Sequence, residues 1–186
     1  GVTLKEILNR IKDGDRKTIA AYPLSRLLNI FQRVCDAVAF AHSRKVIHRD
    51  LKPENVMVGE YGEVLVLDWG LAKVLNRKKK RAKGGRRRRP DGAVDAVGRD
   101  AESSGILKTM DGTIMGTPGY MAPEQTLGDP GALKITTDIY ALGAILYNIL
   151  TLEPPIRGTT LQDLLRKISS GDITHPSAFN TRSTGA

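Results

Sequence analysis

Apolar side chains recur at helical spacing in four stretches of the chain. Leu4, Ile7, Leu8 and Ile11 form the first, and Thr3 with Glu6 supplies the two halves of a capping box ahead of it. Gly14 is placed to stop that helix. The second runs from about Leu24 to Ser43, with Leu27, Leu28, Phe31, Val34, Cys35, Val38 and Ala39 predicting a broad apolar face. A third, from about Thr137 to Leu150, is apolar nearly all round and so predicts a buried central helix, with Asp138 as its N-cap. Leu161 to Ile168 predicts a last short helix, and the tail from Ser169 to Ala186 has too weak a period for more than loose chain. Two short apolar, Val-rich runs, Val56–Val58 and Val64–Leu67, flank Gly59-Glu60-Tyr61-Gly62-Glu63 and predict a hairpin. The expected fold class is α+β, mainly α, with a small β-hairpin.

Between these elements lie two polar regions of different character. Lys45 to Asn55 is dense in functional groups, and Pro53 keeps it from being a helix interior. Residues 76–107 are Gly-rich and charge-biased, as in a disordered loop. The second region changes the meaning of the net charge of +9: Arg77 to Arg89 holds ten basic residues and no acid, so the rest of the chain carries only −1. This is a near-neutral protein with one basic insertion. Few aromatics accompany the run, which argues against nucleic acid as a partner; self-repulsion of the cations favours a solvated loop.

Length and composition narrow the class further. The 186 residues are enough for one domain with a core. The lone Cys35 forbids an internal disulfide, reads as a core residue, and fits a reducing, cytoplasmic setting, although a longer parent protein could carry a membrane anchor. No run of 18 apolar residues occurs, the first residues do not read as a signal peptide, and the initial Gly1 suggests a fragment.

Three motifs follow in order: His48-Arg49-Asp50-Leu51-Lys52-Pro53-Glu54-Asn55, Asp68-Trp69-Gly70 and Ala122-Pro123-Glu124. Together they resemble the signature set of protein kinases, and nearly the whole chain shares the resemblance. Asp-Trp-Gly-Leu-Ala-Lys with Ala-Pro-Glu-Gln resembles bacterial serine/threonine kinases of the eukaryotic-like type, planctomycete-type in particular. The resemblance implies the C-terminal lobe of the kinase fold, and transfer of the ATP γ-phosphate to protein Ser or Thr hydroxyls with Mg²⁺. It implies Asp50 as catalytic base, Lys52 as the cation meeting the phosphoryl group, and Asn55 and Asp68 as oxygen ligands of Mg²⁺. Met57 is implied to lie under the adenine.

By the same resemblance His48 is architectural, and Trp69 stands where Phe is usual, its indole N–H needing a partner. Thr117 is implied to bond Asp50 and Lys52, Asp138 to hold the catalytic-loop backbone, and Glu124 to pair with a later Arg for which this chain has no evident match. Arg49 is implied to pair with a phosphorylated residue of the activation segment, which runs 57 residues from Asp68 to Glu124. Thr113 is the expected phosphosite, with Thr109, Ser103 and Ser104 as fallbacks. The glycine-rich loop, strand Lys and helix Glu of the N-terminal lobe have no counterpart in these 186 residues, nor do the last helices of the C-terminal lobe. The isolated chain is therefore expected to be inactive. Three rival readings are a non-catalytic pseudokinase or truncated regulatory module, a nucleic-acid binder acting through the basic run, and a small-molecule kinase. The intact Asp50, Lys52, Asn55 and Asp68 argue against the first. The peptide-docking look of Gly116 to Glu124 argues against the last.

Overall fold

The computed structural model describes residues 1–69, 73–74, 118–127, 129 and 132–179. The basic run, Gly70 and the candidate residues Thr117, Thr113, Thr109, Ser103 and Ser104 lie outside them.

The chain begins with β1 (Val2–Thr3) and α1 (Leu4–Lys12). The capping box forms as the sequence predicts: Thr3 Oγ1 accepts the Glu6 N–H, and the Glu6 carboxylate accepts the Thr3 N–H at 2.8 Å. The Thr3 N–H, helped by the Thr3 hydroxyl, which donates to the same carboxylate oxygen at 3.1 Å, holds the Glu6 carboxyl below its ordinary pKa. A short α2 (Arg16–Ala21) follows, capped by Asp15, and had no periodic signal because Thr18 is its one buried residue. Helix α3 (Leu24–Ser43) has the predicted span. Its buried stripe is narrower than expected, consisting of Leu27, Ile30, Val34, Val38 and Ala41. Leu28 (38% exposed) and Ala39 sit one residue, about 100°, off that stripe and face outward.

Helix α4 (Ile135–Thr151) packs against α3. Its start differs from expectation. The helix opens at Ile135, where Thr137 Oγ1 accepts the Lys134 N–H at 3.1 Å, so Asp138 lies inside the first turn and is no N-cap. The apolar all-round character also fails at this end, since Ile139 is 54% exposed. From Ala141 onward most of the helix is buried, and Ala141, Leu142, Ala144, Ile145 and Ile149 share one core with α1, α3 and β3.

The hairpin consists of β3 (Val56–Val58) and β4 (Val64–Val66), with Gly62 at φ +88° in the turn. β1 adds antiparallel to β3, making a three-stranded sheet of order β1-β3-β4. A second pair joins β2 (Val46–Ile47) to β5 (Lys73–Val74). Neither extra pairing was legible, because two-residue strands have no measurable alternation. Helix α5 (Leu161–Ser170) ends at Gly171, whose φ of +66° suits glycine. Part of the tail is docked rather than loose: the Tyr147 hydroxyl donates to the Thr174 carbonyl at 2.7 Å, and Phe179 meets the Tyr147 ring edge-on. Among the described residues no helix is long and apolar enough to cross a membrane.

Candidate active site

The loop His48–Asn55 leaves β2 and enters β3 through a 3₁₀ turn at Pro53–Asn55. It has almost no regular structure, so side chains must satisfy its backbone groups. Asp138 supplies the first of these bonds from across the core. Its Oδ2 accepts the His48 N–H and its Oδ1 the Arg49 N–H, both at 2.9 Å. Asp138 is only 1% exposed, and its third hydrogen-bond partner is His42 on α3, whose Nε2 lies 2.7 Å from Oδ2. A buried carboxylate is costly unless it is paired and hydrogen-bonded, and this one has three partners.

The His48 ring is buried and makes two bonds that assign its proton. The Leu67 carbonyl can only accept, so Nε2, 2.9 Å away, carries the hydrogen. Nδ1 then accepts the Asp50 N–H at 3.3 Å. His48 thus connects the segment before Asp68 to the backbone of Asp50.

Around Asp50 two polar side chains converge. Lys52 Nζ donates to Asp50 Oδ2 at 2.7 Å. Asn55 Nδ2 donates to the Asp50 carbonyl at 2.8 Å and to Oδ2 at 3.2 Å. With its nitrogen committed there, Asn55 presents its amide oxygen on the other side of the group. The Asn55 carbonyl accepts the Leu67 N–H at 2.8 Å, which ties the loop to the end of β4 one residue before Asp68.

Asp68 is exposed and takes the left-handed conformation, with φ +60°; Arg49 does the same at +72°. For a non-glycine residue each such conformation costs on the order of 1–3 kcal/mol and persists only where its surroundings enforce it. At Asp68 the enforcement comes from both flanks. His48 holds the Leu67 carbonyl, and the indole N–H of Trp69 donates to the Val66 carbonyl at 2.9 Å. The His48 and Trp69 rings also touch, with centroids 4.5 Å apart. Phe could fill the same space but could not donate that bond.

Arg49 is partly buried, which pushes its pKa down, with the Asp138 charge opposing that shift. Its Nε is buried without a hydrogen-bond partner among the described residues. Met57, in β3, lies opposite Leu65 on one side and Thr3 on the other. Leu65 is 55% exposed, so this face of the sheet is apolar and open. Glu124, for which the chain offers no evident arginine, has a partner at the start of α4: its Oε1 accepts the Thr137 hydroxyl at 2.7 Å.

Sequence reasoning overlooked two residues here. His42 has a weak signal in its place near the end of α3, six residues ahead of His48. Gln125 follows Glu124, in the 3₁₀ turn Pro123–Leu127; its Oε1 accepts the Ala122 N–H at 2.9 Å and its Nε2 donates to the Arg49 carbonyl at 2.8 Å.

Residues 3–182 match the protein kinase domain family. The chain belongs to that family. It is 38% identical over 180 residues to serine/threonine-protein kinase PknD of Protochlamydia amoebophila, covering 95% of this chain and 17% of the relative. Against PknD of Chlamydia trachomatis serovar D it is 40% identical over 172 residues, or 92% of this chain and 16% of the relative. PknD of Chlamydia pneumoniae is 37% identical over 163 residues, with 84% and 16% covered. The chain thus spans about one sixth of the length of the curated relatives it matches, and those relatives are bacterial serine/threonine kinases. The family in general uses ATP and divalent metal ions.

The described residues contain no group of three or more His, Cys, Asp and Glu side chains fit to hold a metal alone. Mg²⁺ takes one or two protein oxygens in kinase sites, and Asn55 Oδ1 and the exposed Asp68 carboxylate are hard oxygen donors of that kind.

Proposed function

We propose that this chain is the larger, helical lobe of a serine/threonine protein kinase domain and carries its phosphoryl-transfer residues. The observation that carries the reading is the convergence of Lys52 and Asn55 on the Asp50 carboxylate, beside a loop held by Asp138. In the proposed reaction a substrate Ser or Thr hydroxyl oxygen attacks the γ-phosphorus of ATP. The bond from that phosphorus to the β–γ bridging oxygen breaks, ADP leaves, and the hydroxyl proton passes to Asp50. Lys52 stands where negative charge develops on the phosphoryl oxygens, and Thr117 joins Asp50 and Lys52 in positioning the acceptor. Asn55 and Asp68 are the residues that would hold Mg²⁺. Bound there, Mg²⁺ supplies charge neutralisation at the phosphates. The open face bearing Met57 receives the adenine.

Protein substrates dock on the segment ending at Ala122-Pro123-Glu124, and phosphorylation of Thr113 pairs it with Arg49 to order that segment. His48, Trp69, Glu124 and Asp138 are architectural. ATP as donor and the single Cys35 suit a cytoplasmic setting.

The test is ATP-dependent phosphorylation by the full-length protein and by its Asp50→Asn variant. Loss of the base should lower kcat by roughly 10²–10⁴-fold while ATP still binds. A full-length protein that binds ATP but transfers no phosphate to any protein, itself included, would make this a non-catalytic module and overturn the reading.

A further inference from the structure

The peptide unit between Arg49 and Asp50 is the last piece of backbone before the proposed base, and it is held at both ends. Its N–H donates to His48 Nδ1 at 3.3 Å, and its carbonyl accepts from Gln125 Nε2 at 2.8 Å. The two amides before it are both bound to Asp138. So three successive N–H groups are held from within the loop and from α4, while the carbonyl is held from the Pro123–Leu127 turn, 76 residues away in sequence.

The orientation of the Gln125 amide is determined by its partners. The Ala122 N–H can only donate and the Arg49 carbonyl can only accept, so oxygen and nitrogen cannot be exchanged without losing both bonds. The anchor is rigid as well. Ala122 is fully buried, and two residues earlier the buried Tyr120 donates its hydroxyl to Asn148 of α4 at 2.7 Å. Arg49 sits at φ +72°, in the left-handed region, and the peptide plane that follows it could turn about the bonds on either side. A bond to the carbonyl of that plane opposes such a turn.

We infer that Gln125 is a positioning residue for phosphoryl transfer: it holds the Arg49–Asp50 peptide in its strained orientation and couples the Ala122–Glu124 segment to the direction of the Asp50 carboxylate. This rests on the reading of Asp50 as the base and of that segment as the protein-substrate side of the site. Substrate seated on the segment then acts on the base through a single side chain.

The experiment uses the full-length protein with Gln125→Ala and Gln125→Glu. Glu keeps an oxygen for the Ala122 N–H but turns a second oxygen, in place of the donor, toward the Arg49 carbonyl. Both variants should lower kcat about tenfold, equal to about 1.4 kcal/mol, with KM for ATP unchanged. Hydrogen exchange at the Asp50 amide should rise in both, while exchange in α3 and α4 stays as in the wild type. Wild-type kcat and wild-type exchange in the Glu variant would overturn the inference, whether or not the Ala variant folds. So would a loss of kcat that merely follows a lower folded fraction. A wild-type protein with no phosphotransfer would instead defeat the kinase reading, and the exchange result would still decide whether Gln125 holds the peptide.

Discussion

The α3–α4 pair and the loop His48–Asn55 between β2 and β3 are stabilised in opposite ways. The helices satisfy their own backbones and meet through apolar stripes, Leu27 to Ala41 on one and Ala141 to Ile149 on the other. Their contribution is burial of apolar surface, which is non-directional and spread over many side chains. The loop buries His48, Leu51, Pro53 and Asn55 too, but it satisfies its backbone through single, directional bonds to Asp138, His48, Asn55 and Gln125. The helix pair can lose a methyl group and remain itself. The loop has little to spare, because each bond acts on one peptide plane. The helices supply the stability, and part of it goes, at Arg49 and Asp68, into left-handed backbone that aims functional groups.

Substitution of Asp138 is the strongest way to break the distinction, because this residue belongs to both regions. Asp138→Ala leaves the His48 and Arg49 amides and the His42 ring without their buried partner. The expected cost is about 3–5 kcal/mol in urea unfolding, together with loss of phosphotransfer even where the variant is still folded. A variant that unfolds early yet keeps wild-type kcat while folded would show that the loop does not depend on α4.

A change confined to the helix core should separate the two effects. Ile145 is fully buried and far from the polar network in character, and Ile145→Ala should cost about 2–5 kcal/mol of stability by leaving a cavity. Below its unfolding transition the kcat should stay at the wild-type value. A fall in kcat under those conditions would mean that core packing sets the loop geometry.

The smallest effect is expected at Trp69. Trp69→Phe keeps a ring against His48 but removes the donor to the Val66 carbonyl. Stability should fall by about 0.5–1.5 kcal/mol, seen as a shift in the urea midpoint, and the KM for ATP at limiting Mg²⁺ should rise as Asp68 is held less firmly. An unchanged KM would leave the left-handed Asp68 to the Leu67 side alone.

Much of the architecture could be read in advance. The capping box at Thr3 and Glu6, the span of α3 and the β3–β4 hairpin all rest on interactions between residues close in sequence, so a local period or a turn composition reveals them. The exceptions share a cause. The inward face of α3 was drawn too wide because apolar identity alone does not say which side of a helix meets its neighbour, and Leu28 is as apolar as Leu27. Asp138 was assigned to the helix end by its residue type, whereas the Lys134 and Thr137 backbone and hydroxyl groups form that end. His42 and Gln125 gave little signal, since a histidine on a helix and a glutamine after Glu124 have many ordinary uses.

The pattern along the chain was enough for α1, α3, α4, α5 and the β3–β4 hairpin, for their order and for the chemical inventory of Asp50, Lys52, Asn55 and Asp68, because helix period, turn residues and motif spacing are properties of neighbouring positions. Only the tertiary structure decided which groups hold the loop: Asp138, 89 and 90 residues from the amides it accepts, His42 behind it, and Gln125 on the Arg49 carbonyl. A hydrogen bond between residues so far apart depends on how α4 and the 3₁₀ turn pack against the loop. That packing comes from burial of apolar surface, which carries no record along the chain of the particular polar pair it will bring within bonding distance.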